Sequence, residues 1–151
     1  MIASILILAA LNANPRFDAS ADSLSGWRLS GAARFMKDAE GVPYVLAEGG
    51  SAKSDLFPVK GGSTISVTFR AAPPRYVPRP AYPWAAVSFF DSKEAAAAKG
   101  AQWAFVRPKL EVRGKGVVGR TETYPVPPTA KWCRLTVRGG SIYTCEATEV
   151  K

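Results

Sequence analysis

The chain predicts an all-β fold, a two-sheet antiparallel β-sandwich of the jelly-roll type, and three observations predict it. Segments of period-two apolar alternation recur along the chain, each of strand length. The 12 prolines and 13 glycines are spread between those segments, as many short strands joined by tight turns require. At 151 residues with 47% apolar side chains, the chain can fill one core and is too short for two comfortable ones.

The elements follow in chain order. Met1 to Leu11 is an apolar run, followed by Asn12-Ala13-Asn14-Pro15. It falls short of the roughly 20 residues that span a bilayer, so no membrane span is expected. Residues 1–13 read either as the end of a secretory signal or, through Ile5 to Leu8, as a first strand. The first reading places the protein outside the cell: secreted, on the surface or in a periplasm. The domain proper then runs over 14–151. Strands are expected at Trp27–Met36, Val42–Glu48, Ser63–Arg70, Trp84–Asp91, Trp103–Val106, Val117–Val126, Trp132–Val137 and Ser141–Val150. Within them Ile65, Val67 and Phe69 share one face, as do Ala85, Val87 and Phe89, and Cys133, Leu135 and Val137. Gly49-Gly50, Gly61-Gly62 and Gly139-Gly140 supply turns. Ala71 to Pro83 holds five prolines and reads as a long extended loop. Lys93 to Lys99 favours helix but spans under two turns, enough for a helical turn at a strand tip.

The order of these elements resembles the galactose-binding-like β-sandwiches, secreted carbohydrate-binding modules in particular. The residues that carry the resemblance are Asn14-Pro-Arg-Phe-Asp18 with Leu24-Ser-Gly-Trp27 at the opening, and Ser54 to Ser63 leading into Ile65-Ser-Val-Thr-Phe69. Ala86-Val-Ser-Phe-Phe-Asp91, and Thr123 to Trp132 before Leu135-Thr-Val137, continue it. The resemblance implies a non-catalytic, lectin-like module. It also implies a structural Ca2+ at Asp18 and Glu146, where hard oxygen donors would sit. The family usually has Asp where this chain has Glu146, and two solvated carboxylates are the alternative.

Function classes narrow quickly. The chain has no histidine, which removes His-based triads, Cys–His dyads and His-ligated zinc. No nucleophile elbow, phosphate loop or dinucleotide fingerprint is present. The formal charge of +8 suits a polyanion, but Arg75, Arg79, Arg107, Lys109, Arg113, Lys115 and Arg120 are scattered, and no nucleic-acid motif accompanies them. A glycan is the expected partner, with aromatic rings covering pyranose C–H faces. Trp132 alternates away from Cys133, Leu135 and Val137, on the side of Arg134, while Tyr76, Tyr82 and Trp84 surround the proline-rich loop. These five are the candidate ligand-binding residues. Trp27 and Trp103 are expected to pack. The rival reading is a structural or protein-interaction module with a protein partner, or one that binds polyanions. Finally, Trp132–Arg138 and Ser141–Ala147 flank Gly139-Gly140 as a hairpin would, which sets Cys133 opposite Cys145 and predicts a disulfide.

Overall fold

The computed structural model describes residues 9–18, 25–74, 82–97, 105–106 and 110–151, of which 105–106 as backbone only. Ile5 to Leu8, Tyr76, Trp103, Arg75, Arg79, Arg107 and Lys109 lie outside the described residues.

Two antiparallel sheets face each other. The strands are β1 (Trp27–Gly31), β2 (Arg34–Lys37), β3 (Pro43–Leu46), β4 (Gly50–Ser54), β5 (Phe57–Pro58), β6 (Thr64–Ala72), β7 (Trp84–Phe90), β8 (Phe105–Val106), β9 (Leu110–Glu111), β10 (Val118–Pro125), β11 (Trp132–Arg138) and β12 (Ser141–Glu149). The seven-stranded sheet runs β1-β4-β11-β7-β8, with β5 against β11 and β9 against β7. The five-stranded sheet runs β10-β6-β12-β3-β2. The expected alternation holds: Ile65, Val67, Phe69, Val87, Phe89, Leu135 and Val137 point between the sheets and are fully buried. Each such side chain contributes about 1.5–3 kcal/mol by leaving water. The expected helical turn is α1 (Lys93–Ala97), capped where Ser92 Oγ accepts from the Ala95 amide at 3.0 Å.

Several expectations change in detail. The stretch Trp27–Met36 is two strands in different sheets, broken at Gly31 (φ 63°). That corner presses on Gly50, where a Cβ would collide with the Ser30 carbonyl and the Ala33 amide. Gly50 therefore begins a strand, β4, that had read as a turn. β4 reads Gly-Ser-Ala-Lys-Ser, with Lys53 exposed and the other four buried, and lies between β1 and β11.

The largest correction concerns Gly139-Gly140, which is a crossover and not a hairpin. Gly139 (φ 92°) donates its amide to the Ala47 carbonyl at 2.9 Å, and Gly140 accepts from the Ala47 amide at 2.8 Å. β11 thus stays in one sheet while β12 enters the other. Cys133 and Cys145 are consequently free thiols on facing sheets, and the predicted disulfide is absent.

A bulge in β12 changes its face pattern as well. The register against β6 shifts between Ile142 and Thr144, so Ile142 and Cys145 both point into the core. Tyr143 is thereby turned outward, onto the free surface of the five-stranded sheet.

The segment before β1 closes the open flank of β12. Of β12, β3 pairs with Ser141 and Ile142 alone, and residues beyond them meet the N-terminal segment on that flank. Leu11 donates its amide to the Ala147 carbonyl at 2.7 Å, and the Cys145 amide donates to Pro15 at 2.9 Å. Between these, the buried Asn12 amide donates to the Cys145 carbonyl at 2.9 Å and accepts from the Ala147 amide at 2.8 Å. Phe17, held at φ 59° and fully buried, packs its ring 5.0 Å from that of Trp27. The Trp27 indole N–H donates to the Asn14 carbonyl at 3.0 Å, so Trp27 is a core residue, as its Gly-Trp context suggested.

Candidate functional site

The outward face of the seven-stranded sheet gathers three of the five candidate residues. Since Cys133, Leu135 and Val137 fill the core, β11 presents Trp132, Arg134, Thr136 and Arg138 outward. By the same alternation β7 presents Trp84, Ala86, Ser88 and Phe90. The register sets Trp132 beside Phe90, Arg134 beside Ser88, Thr136 beside Ala86 and Arg138 beside Trp84. A tryptophan therefore stands at each end of a two-strand patch. Arg134 lies between them.

Cations stand over the aromatic rings. The Lys93 ammonium, from α1, stands 4.5 Å from the Trp132 ring centroid, and the Arg134 guanidinium 5.6 Å from that of Phe90. In the centre of the patch the Ser88 Oγ and Thr136 Oγ1 hydroxyls are buried without a hydrogen-bond partner among the described residues. Both residues are covered, Ser88 fully and Thr136 nearly so, and leaving such a group unpaired costs about 1–3 kcal/mol.

Tyr82 sits at the margin. It precedes β7 by two residues, and the Arg113 guanidinium covers its ring at 4.6 Å. Arg113 is also paired with Glu111 at 3.3 Å. Sequence reasoning put Trp132, Arg134 and Trp84 among its candidates, and the register sets these three on one face. It missed Phe90, Ser88 and Thr136, although the alternation that buries Val87 and Leu135 carries the signal for all three.

Asp18 is exposed, whereas Glu146 is ion-paired with Arg16 at 3.1 Å. The neighbouring oxygens are engaged too: the Asn14 carbonyl by Trp27, that of Pro15 by Cys145 and Asn12 Oδ1 by Ala147. Among the described residues no three of His, Cys, Asp and Glu converge as metal ligands. Nor does any described helix have the length and apolarity to cross a membrane.

Comparison with protein-family models gave no match, and comparison with curated proteins gave no significant match. Solved structures do match. A CBM4 module superposes with a TM-score of 0.60 at 14% identity, over 93% of this chain and 100% of that one. The fold is that of the carbohydrate-binding modules. TmCBM61, solved in complex with β-1,4-galactotriose, gives a TM-score of 0.54 at 18% identity over 94% of this chain and 99% of its own. The enzymatically active domain of tailspike protein 4 from bacteriophage CBA120 gives 0.61 at 14% identity over 93% of this chain. The present chain spans 21% of that tailspike chain, and 28% of a Clostridium thermocellum xylanase 10B chain carrying CBM22-1 and GH10 modules. Like these modules, it is a two-sheet antiparallel sandwich.

Proposed function

We propose that this chain is a non-catalytic glycan-binding module, and that a neutral oligosaccharide lies across β7 and β11 on the outward face of the seven-stranded sheet. One observation carries the reading. Trp132 and Trp84 stand at the two ends of one face of the β7–β11 pair, with Arg134 between them. Indole rings cover the apolar faces of pyranoses, while a guanidinium and hydroxyls fix the orientation of sugar hydroxyls. A binder rather than an enzyme is supported by the residue inventory: the chain has no histidine and no catalytic motif. Export is part of the same reading, because oligosaccharides of this kind are met outside the cell. Thiols sealed in the core are compatible with an oxidising compartment.

Calorimetric titration with xylan, galactan and laminarin oligomers tests the proposal. At least one is expected to bind, with Trp132→Ala and Arg134→Ala each weakening it about tenfold or more and leaving the melting temperature near that of the parent. Silence toward every glycan would overturn it. So would a stability loss on the order of 3 kcal/mol in Trp132→Ala, which would mark the indole as packing.

A further inference from the structure

A strip of basic side chains crosses the outward face of the seven-stranded sheet on its β1 side, beyond the two tryptophans. We infer that this strip binds anionic groups of a saccharide, so that the neutral stretch on β7 and β11 belongs to a polysaccharide that also carries carboxylate or sulfate. The inference rests on the glycan reading above and adds the charge of the ligand to it. Arg28 on β1, Lys53 on β4 and Arg138 on β11 are all exposed, and the half-buried Arg134 is two outward positions away along β11.

Alternation and register bring these groups together. Trp27 and Ala52 fill the core, so Arg28, Ser30, Ser51 and Lys53 turn outward. Across β1 and β4 Arg28 pairs with Lys53 and Ser30 with Ser51; on the other side Lys53 pairs with Thr136 and Ser51 with Arg138. Lys53 therefore has Arg28 directly opposite and Arg138 diagonally beside it, the diagonal being about 7–8 Å in a sheet. Arg138 also stands beside Trp84, which joins the strip to the tryptophan face. Its Nε donates to the Gly50 carbonyl at 3.3 Å, which anchors the guanidinium on the sheet. The two Nη groups of such a guanidinium suit the paired hydrogen bonds that a carboxylate or sulfate accepts.

This placement carries a cost that an anion removes. Like charges directly opposite each other destabilise a sheet, and Arg28 faces Lys53. None of Arg28, Lys53, Arg134 and Arg138 forms an ion pair among the described residues. Three carboxylates border the strip. Asp55 directly follows β4, Glu111 stands beside Trp84 but is paired with Arg113, and Glu48 lines a groove on the other sheet with Tyr44 and Tyr143. Positive charge is thus in excess. A charge on the edge strand β1 guards against pairing with another chain, but Lys53 and Arg138 lie on internal strands, where no such guard is needed. Arg28, Ser30, Ser51 and Lys53 include no aromatic ring on which a nucleobase could stack. The exposed large apolar residues among those described, Val42, Val117 and Val150, all lie off β1, β4 and β11, so an anchor for lipid or protein is lacking. A polymer of hydroxyls and anionic groups fits a surface that is polar, basic and continuous with the tryptophans.

Amide-resolved NMR titration of the whole chain decides the matter. The probes are oligogalacturonate and dextran sulfate oligomers, each beside its uncharged counterpart (the methyl ester and plain dextran), with polyglutamate and single-stranded DNA. At least one anionic saccharide is expected to shift the amides around Arg28, Lys53 and Arg138, and the tighter of the two identifies carboxylate or sulfate as the preferred group. Binding should weaken about tenfold between roughly 50 and 500 mM salt. Arg28→Glu keeps a charged edge and sets opposite charges across β1 and β4, so it should hold or raise the melting temperature while weakening the anionic saccharide about tenfold. Lys53→Ser should weaken it to a similar degree. Neutral xylan, galactan and laminarin oligomers report on the tryptophans alone, so their silence tells against the reading of β7 and β11, whereas silence of both anionic saccharides on the strip tells against this one. The inference is also overturned by equal shifts with the uncharged counterparts, by unchanged affinity in Arg28→Glu, or by equal binding of polyglutamate or DNA on the same strands.

Discussion

Asn12 does with one side-chain amide what a neighbouring strand does with its backbone. Its carboxamide donates to Cys145 and accepts from Ala147, two groups that face the flank of β12 left open by β3. Asn12→Ala would orphan a buried carbonyl and a buried amide, at a cost of about 2–4 kcal/mol in urea denaturation. A loss below about 0.5 kcal/mol would show that water replaces the amide there. Arg16 plays a related part, since its guanidinium already supplies the positive charge beside Glu146 that a calcium ion would bring. Adding calcium to the chelator-treated protein is accordingly expected to leave its melting temperature unchanged; a rise of several degrees would show the ion displacing Arg16. At this scale the sequence discloses which side chains stand outward, because alternation suffices for Trp132, Arg134 and Trp84. It does not disclose that Ser88 and Thr136 lack partners, since that depends on everything packed around them.

Among the elements, β12 shows how one residue alters a face. Simple alternation puts Tyr143 on the side of Cys145, whereas the bulge puts Ile142 there. Deleting Tyr143 would restore unbroken alternation between Ile142 and Cys145, so the shortened chain is expected to fold. Deleting Glu146 would swing either Cys145 or Ala147 out of the core, and that variant should lose several kcal/mol by comparison. Matched melting curves of the two variants check this, and equal destabilisation would count against the bulge as a tolerated insertion. The same reasoning explains which strands the sequence hid. β6, β7, β11 and most of β12 alternate clearly and read correctly. β4 is built of Gly, Ser, Ala and Lys, small or polar residues that give no apolar period, while β5 and β9 are two residues long. Phe57 and Leu110 anchor those two in the core, but a single apolar residue has no periodicity to detect.

At the scale of the whole molecule, the sequence conveys that there are two sheets but not which strands share one. Gly-Gly between β11 and β12 fits a hairpin and a crossover equally well, and only the hydrogen bonds of Ala47 to Gly139 and Gly140 decide. That decision places both thiols in the interior between the sheets, where burial pushes each far up and, for Cys133, the nearby Cys145 adds to it. The consequence is a specific alkaline weakness. A thiol is neutral when protonated, so the native state holds its proton while the unfolded chain releases it near the ordinary value of 9.0. Below that pH both states are protonated and the thiols make stability no function of pH. Above it ionisation favours the unfolded chain, and unfolding free energy falls by up to about 1.4 kcal/mol per pH unit for each thiol. Tyr124, raised chiefly by burial, acts in the same direction above its ordinary 10.0. The double substitution Cys133→Ala, Cys145→Ala should therefore be less stable at neutral pH, from the volume removed, yet lose less on going from pH 8 to pH 10. Every other group is common to both proteins and cancels in the comparison. Urea denaturation of each at the two pH values measures the difference, and identical losses would mean that the thiols ionise as freely in the native state as in the unfolded one. Alkylation at pH 8 should agree: none in the native protein, and both thiols modified once the unreduced chain is denatured.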